Sequence, residues 1–189
     1  QDAYNVYSNI FNDLVPTIVI EHRMLYGVES QINVSNSIPK VTKLEAGDDM
    51  TICSISHMTL EAQKAVNSLK DLNIFCDHFT IVDHSNLELN SILESAKKTN
   101  KIIIVDHGWL NSSIGSTIIQ RLYQHGFKGE FKLLGYAECP CPTARSLENY
   151  FYPSAASILK EVLHLLGHSL AYSTTLPISK ELLDFKGPF

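Results

Sequence analysis

The sequence predicts an α/β fold, a parallel sheet covered by helices on both faces. Three observations predict it. From Met50 onward, short β-branched runs alternate with stretches of helical apolar spacing, the rhythm of repeated strand–helix units. One run, Ile102 to Val105, is apolar without interruption, as in a strand buried on both faces. The chain has 189 residues, 44% hydrophobic and 19% charged, enough for one domain with a full core.

The elements follow in order. Tyr4, Val6, Tyr7, Ile10, Phe11 and Leu14 have helical spacing, and Pro16 ends that helix. Thr17 to Ile20 reads as a short β-branched strand running into Glu21-His-Arg-Met-Leu-Tyr-Gly27. One α–β unit cannot cover both its faces, so this piece is expected to be the tail of a domain whose front half lies elsewhere. Residues 28–48 are polar and read as a linker. Met50 to Ile55 is a strand, and Thr59 is placed as N-cap of a helix reaching about Leu72. Ile74 to Val82 is a strand. Leu87 to Lys98 is a helix with two lysines at its C-terminal end, where the dipole favours cations. The run at 101–106 is the central strand. Ile114 to Tyr123 is a helix, Glu130 to Leu134 a strand, and 154–166 a last helix with Ile158, Leu159, Val162, Leu163 and Leu166 on one face. The domain is thereby expected over 49–170, with a tail over 171–189.

Composition excludes some functions. A net charge of −5 supplies no basic surface for nucleic acid or anionic membrane. No apolar run approaches the roughly 20 residues of a membrane span. The start, Gln1-Asp-Ala-Tyr-Asn, has neither the basic start nor the apolar core of a signal peptide, and it lacks an initiator Met, which predicts a piece of a longer chain. Four cysteines without a secretion signal predict a reduced, cytoplasmic protein.

Chemistry-bearing patterns are sparse. His164 and His168 are spaced i, i+4, but the sequence between them, Leu-Leu-Gly, has no acid and no third ligand is near. Cys139-Pro-Cys141-Pro lacks a second pair for zinc, and its prolines mark an extended turn. Gly108 to Thr117 opens a helix and could hold an anion, although most helix ends hydrogen-bond only water or a cap. Asp106 and His107 could act as an acid–base pair, yet neighbours at a strand end point opposite ways. Trp109, the single tryptophan, is a natural contact anchor. No catalytic, cofactor or metal residue follows from spacing alone.

Five stretches in order carry a resemblance. Ile18-Val-Ile-Glu-His-Arg-Met-Leu-Tyr-Gly27 is similar to the strand and turn that close a pyrimidine-binding domain. Asp49-Met-Thr-Ile-Cys-Ser-Ile-Ser-His-Met58 with Leu60-Glu-Ala62 resembles a first strand and helix. Glu94-Ser-Ala-Lys-Lys-Thr99 with the strand into Asp106-His-Gly-Trp109 is similar to a "KT…VVxEGW" segment. Ile114-Gly-Ser-Thr-Ile118 matches a Gly-containing helix start, and Gly135-Tyr-Ala-Glu-Cys-Pro-Cys-Pro142 a "GxDxPxP" loop. Over about residues 17–167 the chain resembles the C-terminal end of the β subunit of thiamine diphosphate-dependent 2-oxoacid dehydrogenases, within the transketolase superfamily.

The resemblance implies a three-layer α/β/α sandwich with a five-stranded, mostly parallel sheet and one antiparallel edge strand. It implies thiamine diphosphate and magnesium in the full-length enzyme, with neither held by this chain alone, and an isolated chain without activity. The implied partners are an α-type subunit or diphosphate-binding domain, a second copy of the chain, and an acyltransferase core. Asp106, His107 and Trp109, with Glu21, Arg23 and Tyr26 of the first motif, are carried over as interface candidates. Two departures stand out. Asp83-His-Ser-Asn-Leu-Glu88 replaces the family's arginine-rich "LRTxRP", and His107 occupies the place of the acid before Gly108. They leave room for a member with a changed substrate or partner, including one acting on sugar-type substrates; the competing readings are a stand-alone binding or dimerisation module and a hydrolase or lyase using Asp106 and His107.

Overall fold

The computed structural model describes residues 2–12, 15–31 and 33–168. Among them a five-stranded sheet runs in the order β1 (Val41–Glu45), β3 (Cys76–Ile81), β2 (Met50–Ile55), β4 (Lys101–Trp109), β5 (Glu130–Tyr136). β1 is antiparallel to β3, and every other pairing is parallel. The helices are α1 (Asp2–Ile10), α2 (Met58–Lys70), α3 (Asn90–Thr99), α4 (Ile114–Gln124), α5 (Arg145–Phe151) and α6 (Ala155–Leu165).

The apolar run at the centre builds both layers, because successive side chains of a strand alternate between faces. Ile103 and Val105 point to the layer made with α2 and α6, where Ala62, Val66, Ile158 and Val162 are buried. Ile102 and Ile104 point to the layer made with α3 and α4, where Ile92, Ile118 and Leu122 are buried. All four β4 residues are fully buried. Ser154 caps α6 in a capping box with Ser157, and Glu61 of α2 accepts the Ala155 N–H at 2.9 Å, tying the two helices of that layer.

The structure corrects several expectations. Residues 28–48 are not all linker: Val41–Glu45 forms the edge strand β1. Its half-exposed, mixed pattern gives no alternation to read from sequence, since an edge strand needs little apolar surface. Residues 17–20 form no strand; among the described residues nothing pairs with them, and Ile18 and Ile20 are 89% and 88% exposed. Thr59 is not the N-cap of α2. That position is His57, while the Thr59 hydroxyl lies 2.9 Å from Thr80 and accepts from Ser54 at 3.1 Å. The short helix α5 has no counterpart among the elements that the sequence predicts. The tail 172–189 lies outside the described residues.

The order of crossovers locates a crevice. β2 leads through α2 on one face to β3, whereas β4 leads through α4 on the other face to β5. Chains leaving neighbouring strands for opposite faces part at the carboxyl ends of those strands, and open α/β sheets bind ligands at that switch point. Here it lies between the end of β2, at Ile55, and the end of β4.

Candidate functional site

Three histidines meet at this crevice. His57 follows β2 directly, and Ser56 before it holds a left-handed φ of 55°. Such a conformation is uncommon for a residue with a Cβ and turns the chain sharply from strand to helix. His107 lies near the end of β4, inside an irregularity: Val105 faces Leu134 and Trp109 faces Tyr136, so β4 spends four steps where β5 spends two. Bulges of this kind re-aim side chains beside functional sites. His22 comes from the N-terminal segment, just before a short 3-10 turn whose Met24 N–H donates to its Nδ1 at 3.3 Å.

Their rings pack together. His22 stacks on His57 with centroids 4.7 Å apart, and its ring meets His107 edge-on at 4.5 Å. One ring nitrogen from each of the three lies within 4.8 Å of the other two. His57 is buried and the other two are half-buried. Burial, with His22 and His57 alongside, lowers the His107 pKa to about 4. Burial and the neighbouring His57 lower that of His22 as well. The His107 ring is therefore neutral at physiological pH, with one unprotonated nitrogen.

Aromatic side chains wall the cluster. Tyr136 at the end of β5 meets His107 edge-on at 4.9 Å, and Tyr152 after α5 stacks on it at 5.6 Å. The Tyr152 hydroxyl lies 3.2 Å from Cys141 Sγ, and this contact, with burial, pushes its pKa up to about 12. Phe151 and Trp109 continue the wall from Tyr136. β5 approaches closely here: a Cβ on Gly135 would lie 2.5 Å from the Gly108 carbonyl oxygen, so only glycine fits.

Asp106 points away from the histidines. Its carboxylate accepts the His107 N–H at 2.7 Å and the Gly115 N–H at 3.0 Å, fastening the start of α4 to the end of β4. The His107 ring instead faces Tyr136 and Tyr152, so the two neighbouring side chains turn different ways. The α4 end likewise has internal partners, since Ser113 accepts the Ser116 N–H. Trp109 is half exposed. Glu21 accepts from the hydroxyls of Tyr7 and Tyr26, and Tyr26 and Arg23 are exposed. His164 and His168 sit exposed around the end of α6, apart from the cluster. Cys139 and Cys141 are exposed free thiols, while Cys53 and Cys76 are buried.

Spacing along the sequence marks His107 but does not join it to His22 and His57. The available signal lies in the quoted motifs, three of which carry one histidine each.

A doubly wound sheet with an added antiparallel edge, and a site where β2 and β4 diverge, defines an α/β domain of the three-layer, switch-point class. Residues 39–158 match the family model described as the transketolase C-terminal domain, and the chain belongs to that family. The chain is 29% identical over 168 residues to the pyruvate dehydrogenase E1 component subunit beta of Rickettsia bellii, covering 86% of this chain and 52% of that protein. It is 26% identical over 163 residues to the acetoin:2,6-dichlorophenolindophenol oxidoreductase subunit beta of Cupriavidus necator, covering 83% and 48%. The chain thus spans about half the length of the curated relatives it matches. A solved split-gene transketolase, described as an inactive β4 tetramer, superposes with a TM-score of 0.62 at 18% identity over 68% of this chain and 42% of that one, a likeness of fold. The antiparallel edge strand implied by the resemblance is present as β1. Among the described residues no helix is long and apolar enough to cross a membrane.

Proposed function

We propose that this chain is the C-terminal portion of a thiamine diphosphate-dependent enzyme of the 2-oxoacid dehydrogenase β-subunit type, and that it serves assembly and docking rather than chemistry of its own. The observation that carries the reading is the 168-residue match to a pyruvate dehydrogenase E1 β subunit, which covers 86% of this chain. The surface supports it. Phe11, Val15, Ile18, Ile20 and Tyr26 are 67–89% exposed, a run of apolar side chains that a further part of a pyrimidine-binding domain would cover. Trp109, His107 and Asp106 at the sheet end, with Glu21, Arg23 and Tyr26 on the adjoining turn, are the contact residues we assign to an α-type subunit or diphosphate-binding domain. A second copy of the chain and an acyltransferase core are the further partners. With four free cysteines, we place the protein in the cytoplasm.

The donors at the sheet end do not fit the family's cofactor. Magnesium bound to a diphosphate takes oxygen ligands, whereas this end presents three imidazoles, and the Asp106 carboxylate is held by two backbone N–H groups. We therefore assign thiamine diphosphate to another part of the assembly.

Reconstitution tests the reading. The chain extended upstream to the length of the curated relatives, co-purified with its α-type subunit, is expected to bind thiamine diphosphate and reduce dichlorophenolindophenol with a 2-oxo acid. The 189-residue chain alone is expected to do neither. Trp109→Ala should weaken subunit association by about tenfold or more, as loss of an interface aromatic does. A reconstituted assembly that fails to bind thiamine diphosphate would refute the proposal.

A further inference from the structure

We propose that His22, His57 and His107 form a three-imidazole site for a divalent transition metal of the zinc class, and that the ion staples the N-terminal segment to the carboxyl end of the sheet. The geometry points to it in four ways. One nitrogen from each ring lies within 4.8 Å of the other two. Nitrogens sharing one zinc ion, each at about 2.0–2.1 Å, stand roughly 3.3 Å apart. The rings therefore need to converge by no more than about 1.5 Å, a side-chain rotation rather than a change of fold.

The donors also select the ion. Imidazole suits zinc, copper, nickel and iron, whereas magnesium and calcium take oxygen. No carboxylate belongs to the set, because Asp106 is turned to the α4 N-terminus. Three protein ligands leave a fourth position open, the arrangement of sites that bind water or a substrate group rather than of closed structural sites. The place in the fold agrees, since His57 and His107 flank the switch point where such sheets bind ligands.

The supporting shell is in place as well. Tyr136 and Tyr152 press on the His107 ring from two sides and fix its plane. The left-handed Ser56 and the β4 irregularity fix the backbones of His57 and His107. His22 differs, because it belongs to a segment outside the sheet domain. An ion bound by all three joins segments far apart in sequence, so metal binding and docking of residues 21–27 become one equilibrium. This role is independent of the assembly proposed above, because it is read from metal binding directly.

The test uses the full chain, stripped with a chelator and titrated with Zn²⁺ against a chromophoric competitor, with Co²⁺ as spectroscopic probe. One ion per chain is expected, with intense four-coordinate Co²⁺ bands. His22→Gln and His107→Gln should each weaken Zn²⁺ binding by about 100-fold or more, beyond the roughly 10–100-fold that loss of an outer partner costs. Cys139→Ser with Cys141→Ser should leave it unchanged. Amides of residues 21–27 should exchange about tenfold more slowly with Zn²⁺ in the wild type and gain nothing in His107→Gln. Should a variant fail to fold, imidazole ¹⁵N shifts of the wild type decide: His22, His57 and His107 should move together on adding one equivalent. Sub-stoichiometric binding, shifts confined to other histidines, or binding lost only with the two cysteines would overturn the proposal.

Discussion

Acid should weaken this fold before its carboxylates titrate, and His78 is the reason. Its ring sits fully buried in β3, with Nε2 2.8 Å from Ser54 Oγ and Nδ1 3.3 Å from Gln63 Oε1. Burial lowers its pKa from 6.5 to about 4, against a smaller upward pull from Glu45. In the unfolded chain the ring titrates near 6.5, so between those values the unfolded state binds more protons. The contribution to stability is complete above pH 6.5 and is lost as the pH falls toward 4. The full loss is about 3 kcal/mol, of which about 2 kcal/mol is gone by pH 5. Urea unfolding of the metal-free chain at pH 7, 6 and 5, for wild type and His78→Gln, reads this directly. His22 and His107 are the same in both proteins and cancel in the comparison. Asp77 is shifted the other way. Burial would raise its carboxyl, but hydrogen bonds from Lys43, Ser95, the Gly47 N–H and Lys98 outweigh that and hold it well below the usual carboxylate range. Its contribution disappears only in stronger acid. The variant should therefore lose about 2 kcal/mol less than wild type from pH 7 to 5. Parallel pH profiles, or an imidazole resonance of His78 titrating near 6.5, would refute the reasoning.

Other outcomes follow from single contacts. Asp106→Ala removes the acceptor of two backbone N–H groups and should cost about 3 kcal/mol in thermal or urea unfolding, with Asp106→Asn recovering part of it. Ellman's reagent should find two fast thiols in the native chain, Cys139 and Cys141, and four in denaturant, since burial pushes Cys53 and Cys76 up to about 12 and hides them. Gly129→Ala should destabilise by about 2 kcal/mol or more, because the new Cβ would lie 2.1 Å from the Asn100 carbonyl oxygen. Gly115→Ala, meeting the Ile104 methyl at 3.2 Å, should cost clearly less in the same urea series.

What was legible in the sequence is what depends on local periodicity. The apolar run Ile102 to Val105 announces a strand covered on both faces, because alternate side chains of a strand point to opposite faces and all four here are apolar. The stripe on α6 announced its buried face for the same reason. Where burial is slight, the signal fades. β1 is polar enough to pass for linker, and Thr17 to Ile20 looks like a strand but has no partner among the described residues. Asp106 and His107 were separable in advance, since alternation along a strand sends neighbours apart.

The site belongs to the tertiary structure. His22, His57 and His107 lie in three unconnected motifs, and no spacing along the chain relates them. Strand order puts the ends of β2 and β4 side by side, and their opposite crossovers open the crevice between them. The β4 irregularity then re-aims His107, and the N-terminal segment returns to lay His22 against it. Periodicity fixes which residue faces the core. It carries no information on which strand ends become neighbours, because that is decided by the pairing and handedness of the whole sheet.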